Sequence, residues 1–118
     1  MRGIRGAIQL EANTVDAMQE AVAELCLAIS QANQLDPDEI VWAIFTVTAD
    51  LDADFPARAA RAKGGWNAVP MICSREIPVP GSLPRVVRVL VHVDSGTPAD
   101  AKHVYLRGAR ALRPDLHK

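Results

Sequence analysis

Apolar and polar positions follow two rhythms along the chain. From Met1 to Leu10 they alternate closely enough to predict a first strand, with Gly3 and Gly6 permitting close backbone approach. The period then lengthens. Met18, Val22, Leu25, Ile29 and Ala32 recur at the four-three spacing of one helix face, behind Asn13 or Thr14 as a cap. That stripe predicts a long helix packed on a sheet, and core packing accounts for every residue in it, Met18 and Cys26 included. Asp36-Pro37-Asp38 breaks the helix, and Ile40 to Val47, with Trp42 and Phe45, reads as a second buried strand. Thr48 to Asp54 is a polar connection. Phe55-Pro56 opens a short helix that Gly64-Gly65 closes. Val69 to Cys73 is a third strand, a proline-stiffened loop from Pro78 to Pro84 follows, and Val86 to Val91 is a fourth strand. Thr97-Pro98 caps another short helix to about His103, while Tyr105 to Leu112 fits helix or strand equally on propensity.

One charge breaks the fourth strand. Arg88 stands within Val86-Val87-Arg88-Val89-Leu90-Val91, and a β-branched run of this kind reads as buried on both faces. A buried guanidinium requires an anion, since removing the partner of a buried charge costs about 3–5 kcal/mol. The partner is therefore either a fixed carboxylate or a bound ligand. Arg5, in Ile4-Arg5-Gly6-Ala7, raises the same question. Arginine offers a planar fork of donors matched to a carboxylate, which suits it to an anion seat.

Composition narrows the classes of function. The 118 residues amount to a single domain, 1–118, able to bury about two-thirds of its unfolded surface. A hydrophobic content of 49% argues against a disordered tail, and a net charge of −1 gives no overall field for nucleic acid or anionic membrane. Arginine outnumbers lysine ten to three, a bias that coding composition accounts for at most positions. Cys26 and Cys73 have no metal-ligand or disulfide-framework spacing, and the three histidines share no spacing with them. With no signal-like or membrane-length apolar segment, a soluble cytoplasmic protein without cofactor or metal is expected.

No arrangement in the sequence supplies a nucleophile with its base or a phosphate-cradling loop. Cys73-Ser74-Arg75-Glu76 closes the third strand where loops carry function, while Arg58 and Arg61, three apart, share a helix face whose ordinary reading is a solvated surface. The arginines, one glutamate, one tyrosine and one thiol together suit electrostatic binding of a small dianion.

Six segments, in order, carry a resemblance. They are Ile4-Arg5-Gly6-Ala7, Asp50-Leu51 with Phe55-Pro56-Ala57, Val69-Pro70 with Cys73 and Glu76, Arg88-Val89, His103-Val104-Tyr105-Leu106, and Leu112-Arg113-Pro114-Asp115-Leu116. Over nearly the whole chain they resemble the monofunctional trimeric bacterial chorismate mutases of the mixed α/β class. The resemblance implies an α+β fold with a mixed sheet and one long helix on one face, three copies joining their sheets into a barrel-like core with helices outside. It implies an isomerase of aromatic amino acid biosynthesis, in the shikimate pathway, that rearranges chorismate to prephenate. That reaction is intramolecular and pericyclic, so the enzyme's tasks are to fold the substrate and to stabilise charge separating in the transition state.

The resemblance also implies roles. Arg88 would donate to the ether oxygen of the breaking bond, and Glu76 would face the ring hydroxyl and balance positive character on the ring. Arg5 with Tyr105 would clamp the enolpyruvyl carboxylate, and Cys73 would bind the ring hydroxyl. Phe55 and Ala57 would form an apolar wall, Arg58 and Arg61 would meet the ring carboxylate, and Leu112 and Arg113 would lie near the mouth. Sites between subunits would take Arg5, Arg88 and Tyr105 from one subunit, and Phe55, Arg58, Arg61, Cys73 and Glu76 from its neighbour. Trp42 and Trp66 are read as core or interface packing. The rival function is a non-catalytic oligomeric module that seats an anionic metabolite on Arg5 and Arg88.

Overall fold

The computed structural model describes residues 1–94 and 100–113. Strand β1 (Arg2–Gln9) leads into helix α1 (Val15–Ala32), whose N-cap Thr14 accepts a hydrogen bond from Ala17 N at 3.0 Å. Met18, Val22, Leu25 and Ile29 of the predicted stripe are fully buried. A capped 3₁₀ turn, Pro37–Glu39, separates α1 from β2 (Ile40–Val47). Helix α2 (Pro56–Ala62) then precedes β3 (Met71–Arg75), and β4 spans Val86–Val93. The third strand thus starts two residues later than its apolar run suggests, because Pro70 has no N–H for the ladder and contributes only its carbonyl, to Ala43 N at 3.0 Å.

The five strands form one mixed sheet in the order β3-β2-β4-β1-β5. Strand β4 is antiparallel to both β1 and β2, while β3 runs parallel to β2 and β5 (Val104–Leu106) parallel to β1. The ambiguous segment from Tyr105 is neither all strand nor all helix: Val104–Leu106 pairs with β1, then Arg107–Leu112 turns as a 3₁₀ helix beginning at positive φ on Arg107. Thr97 and Pro98, predicted to start a helix, lie outside the described residues, and Asp100 to His103 is irregular in conformation.

Both helices cover one face of the sheet. Gly6 is what lets α1 lie close, since a Cβ there would stand 2.7 Å from Ile29 Cδ1 and 3.2 Å from Leu25 Cδ1. Trp66, fully buried, packs at 6.2 Å from Phe45 in this core. On the other face the 3₁₀ turn Arg107–Leu112 packs its Ala109 over Ala7, Val86 and Tyr105 but leaves Arg88 and Leu90 exposed, and this corrects the reading of the fourth strand. Val87, Val89, Val91 and Val93 face the core, whereas Arg88 and Leu90 alternate onto the open face. The Arg88 side chain is 52% exposed in the isolated subunit, so it is not a buried cation, and its fixed partner is a carboxylate.

Candidate active site

Strand alternation places the chemistry on the open face. Register sets Ala7 of β1, Arg88 of β4, Thr46 of β2 and Ser74 of β3 in one row across the sheet, with Tyr105 of β5 beside Ala7. Arg88 Nε lies 3.2 Å from Oε2 of Glu76, the residue immediately after β3. Thr46 Oγ1 donates to the same oxygen at 2.7 Å. The Glu76 side chain is 17% exposed, so its contact with Arg88 is better shielded from water than an ordinary surface pair.

Two recesses meet at this charge pair. Arg5, Arg88, Thr46, Leu90 and Tyr105 line one of about 320 Å³. A larger recess of about 680 Å³ runs from Arg88, Glu76 and Thr46 beneath the Ile77–Pro84 loop. Arg5 is exposed, and its backbone N–H donates to His103 Nδ1 at 3.0 Å. Burial, and then the charges of Arg5 and Arg113, hold the His103 imidazole below its ordinary pKa, consistent with a neutral ring accepting at Nδ1. Tyr105 is 7% exposed, seated in a small apolar cluster with Ala7, Val86 and Ala109, against which Leu112 packs. Arg113, half-buried, follows Leu112, whereas Pro114, Asp115 and Leu116 lie outside the described residues.

The loop is pinned at both ends. Glu76 N donates to Val47 O at 2.9 Å, and Arg85 N reaches both carboxylate oxygens of Asp50 at 3.0 and 3.2 Å. Arg85, at positive φ, also donates from Nε to Leu10 O at 2.9 Å, and so fixes the point where β4 begins.

A third recess, of about 360 Å³, gathers Phe55, Arg58, Cys73, Asp54 and Arg75. Cys73 here packs against the helix-side core. Arg58 lies 5.6 Å over the Phe55 ring and 3.5 Å from the Asp54 carboxylate. Phe55 is 60% exposed, a conspicuous position for a large aromatic ring. Ala57 is buried in the core beneath it, and Arg61 is exposed one turn on, outside the three recesses described. Within one subunit, then, Arg5, Tyr105, Arg88 and Glu76 form one group, and Phe55, Arg58 and Cys73 form another. The expected division set Arg88 and Glu76 on opposite sides of an interface; within one subunit the two side chains stand 3.2 Å apart.

Three contributors escape a reading of the sequence. Thr46 sits inside a strand that reads as buried, yet alternation from Phe45 puts it on the open face. Asp54 belongs to a stretch that reads as a polar connection, although its side chain is only 3% exposed. His103 reads as the end of a helix, while it supports β1. Among the described residues no cluster of His, Cys, Asp or Glu could hold a metal ion.

The fold and this site define an α+β protein with a recess on one sheet face that Arg5 and Arg88 line, and comparison with known proteins gives the class. The profile of the family described as chorismate mutase type I matches residues 1–116. The chain is 52% identical over 118 residues to the chorismate mutase AroH of Thermus thermophilus, covering 98% of this chain and 96% of that protein. It is 38% identical over 117 residues to the chorismate mutase AroH of Bacillus subtilis, covering 98% and 92%. A solved chorismate mutase from Clostridium thermocellum superposes with a TM-score of 0.88 at 44% identity, over 94% of this chain and 99% of that one. The chain belongs to the chorismate mutase type I family, and its activity is that of an isomerase.

Proposed function

We propose that the protein rearranges chorismate to prephenate on the open sheet face, with Arg88 and Glu76 as the working charge pair. The juxtaposition of that pair, 3.2 Å apart beside Arg5 and Tyr105, carries the proposal. Chorismate is a dianion whose ether C–O bond breaks as a C–C bond forms between the enolpyruvyl group and the ring. No proton moves. Negative charge grows on the ether oxygen and positive character on the ring. Arg88 donates to the oxygen, and a preorganised donor of this kind contributes about 2.7–4 kcal/mol in the transition state. Glu76, held opposite, balances the ring. Arg5 and Tyr105 clamp the enolpyruvyl carboxylate and hold the substrate folded, which converts binding into effective concentration of the reacting carbons.

The Phe55, Arg58 and Cys73 group completes the site from a neighbouring copy, with Arg58 and Arg61 toward the ring carboxylate and Leu112 and Arg113 near the mouth. Three copies in a closed ring give each Arg88 recess one such neighbour. Two features support the ring: the open sheet face carries Ile72, 63% exposed, and Leu90, 41% exposed, with Ile44 between them, and the two groups line separate recesses of one subunit. The reading predicts that the purified trimer consumes chorismate, followed as loss of its ultraviolet absorption. A protein that binds chorismate with no loss of absorption is a binding module instead.

A further inference from the structure

We propose that Thr46 is a positioning residue for Glu76, and that its hydroxyl keeps the donors of Arg88 available to the substrate. The inference rests on the reading of Arg88 and Glu76 given above and adds to it a residue that does not touch the reacting atoms. Glu76 lies just beyond β3, at the start of the proline-containing loop, and two consecutive residues of the neighbouring strand β2 hold it, one by its backbone and one by its side chain. Val47 O accepts the Glu76 N–H at 2.9 Å, and Thr46 Oγ1 donates to Glu76 Oε2 at 2.7 Å. Arg88 Nε approaches that same oxygen at 3.2 Å, so the oxygen is shared between hydroxyl and guanidinium.

Sharing matters because of what the pair would otherwise do. A carboxylate beside an arginine prefers to close both oxygens onto the fork in two parallel hydrogen bonds. In that arrangement two nitrogens of Arg88 face Glu76, and fewer N–H groups remain for the ether oxygen. The Thr46 hydroxyl opposes the swing by binding Oε2 from β2. Threonine is suited to the task, since its β-branch leaves few χ1 choices and the strand fixes its backbone directly across from Arg88. Thr46 lines both recesses that meet at the charge pair, so its placement bears on the whole cationic half of the site.

The test compares Thr46→Val and Thr46→Ser, each made alone and in a Glu76→Ala background, as full-length trimers assayed with chorismate. Valine keeps the shape and removes the hydroxyl. Thr46→Val is expected to lower kcat on the order of tenfold, the scale of one hydrogen bond to a charged group, with KM changed by less than about twofold. Thr46→Ser is expected to recover at least about half of the turnover through its hydroxyl. In the Glu76→Ala background the valine change should have no further effect, a non-additivity that a purely structural role would not give. Should Thr46→Val fold poorly, Thr46→Ala is read by the same criteria. Wild-type kcat in Thr46→Val alongside an inactive Glu76→Ala overturns the inference and leaves the charge-pair reading standing. Equal losses in both backgrounds also overturn it, since Thr46 would then act independently of Glu76. Full turnover in Glu76→Ala itself would overturn the charge-pair reading.

Discussion

Arg88→Lys separates the folding role of the cation from its chemical role, and the structure gives a magnitude for each. The side chain is 52% exposed and its partner Glu76 is 17% exposed, so the pair is only partly withdrawn from water. Ion pairs in such positions contribute about 0–1 kcal/mol to stability, and lysine retains the charge. The unfolding midpoint should therefore move by no more than about 5 °C. Catalysis responds differently. Lysine concentrates its charge at one nitrogen, which Glu76 can capture, and it lacks the planar fork that presents donors to two groups at once. Loss of one preorganised donor costs about 2.7–4 kcal/mol of transition-state stabilisation, so kcat should fall by roughly two to three orders of magnitude. KM should rise less than about tenfold, because Arg5 and Tyr105 still hold the enolpyruvyl carboxylate. The assay is disappearance of chorismate absorption at saturating substrate, paired with thermal unfolding of the same preparation. A lysine variant that turns over within about fivefold of wild type, correctly folded, would mean that Arg88 is not the donor to the breaking bond.

Three further outcomes follow from the same geometry. On the proposed division, which keeps Arg88 and Glu76 of each site in one subunit of a closed trimer, co-refolding Arg88→Ala with Glu76→Ala should restore nothing, whereas co-refolding Arg88→Ala with an Arg58→Ala, Arg61→Ala double variant should restore roughly a quarter of wild-type turnover, one intact site in each mixed trimer; recovery in the first mixture would place the pair across the interface. Gly6→Ala should lower stability by about 1–2 kcal/mol, overpacking against Ile29 being partly offset by a stiffer unfolded state, and the midpoint should drop roughly 4–10 °C, so an unchanged midpoint in calorimetry would show that α1 is not seated on Gly6. The native state resists protonating His103, whose pKa is lowered by burial and by Arg5 and Arg113, while the unfolded protein takes up that proton near pH 6.5; stability should be complete above about pH 6.5 and decline as pH falls below it. Urea midpoints at pH 7.5 and 5 should therefore diverge more in wild type than in His103→Gln, and identical divergence would rule His103 out as the source.

Much of this is legible along the sequence, and the exceptions have physical causes. The stripe from Met18 to Ile29 specifies α1, and Thr14 its cap, because a helix face is written in local spacing. Strands β1, β2 and β4 are equally local. Arg88 misleads because a run this apolar suggests two buried faces, while Leu90 in that run lies exposed on the sheet face opposite α1 and α2. The end of β5 is ambiguous because three strand residues lead straight into a 3₁₀ turn, and propensity averages over both. The contact between Thr46 and Glu76 is invisible to spacing, since it depends on parallel pairing of β2 with β3. Grouping Glu76 with Arg88 requires the same register, which the family resemblance does not carry: it supplies the residue types and a division that sets the two on opposite subunits.

Sheet order also sets a schedule for biosynthesis. Strand β1 is flanked by β4 and β5, both translated after β2 and β3. During synthesis at about 5–20 residues per second, the interval between the appearance of β1 and of its first partner is therefore several seconds or more. Through that interval the strand that joins β1 to β2 is missing from the sheet beneath α1, and both edges of β1 remain open to foreign strands. The nascent polypeptide is thus most in need of chaperone shielding before Val93 emerges, and a ribosome stalled between β3 and β4 would present an aggregation-prone half-domain although more than half of the residues had already been made.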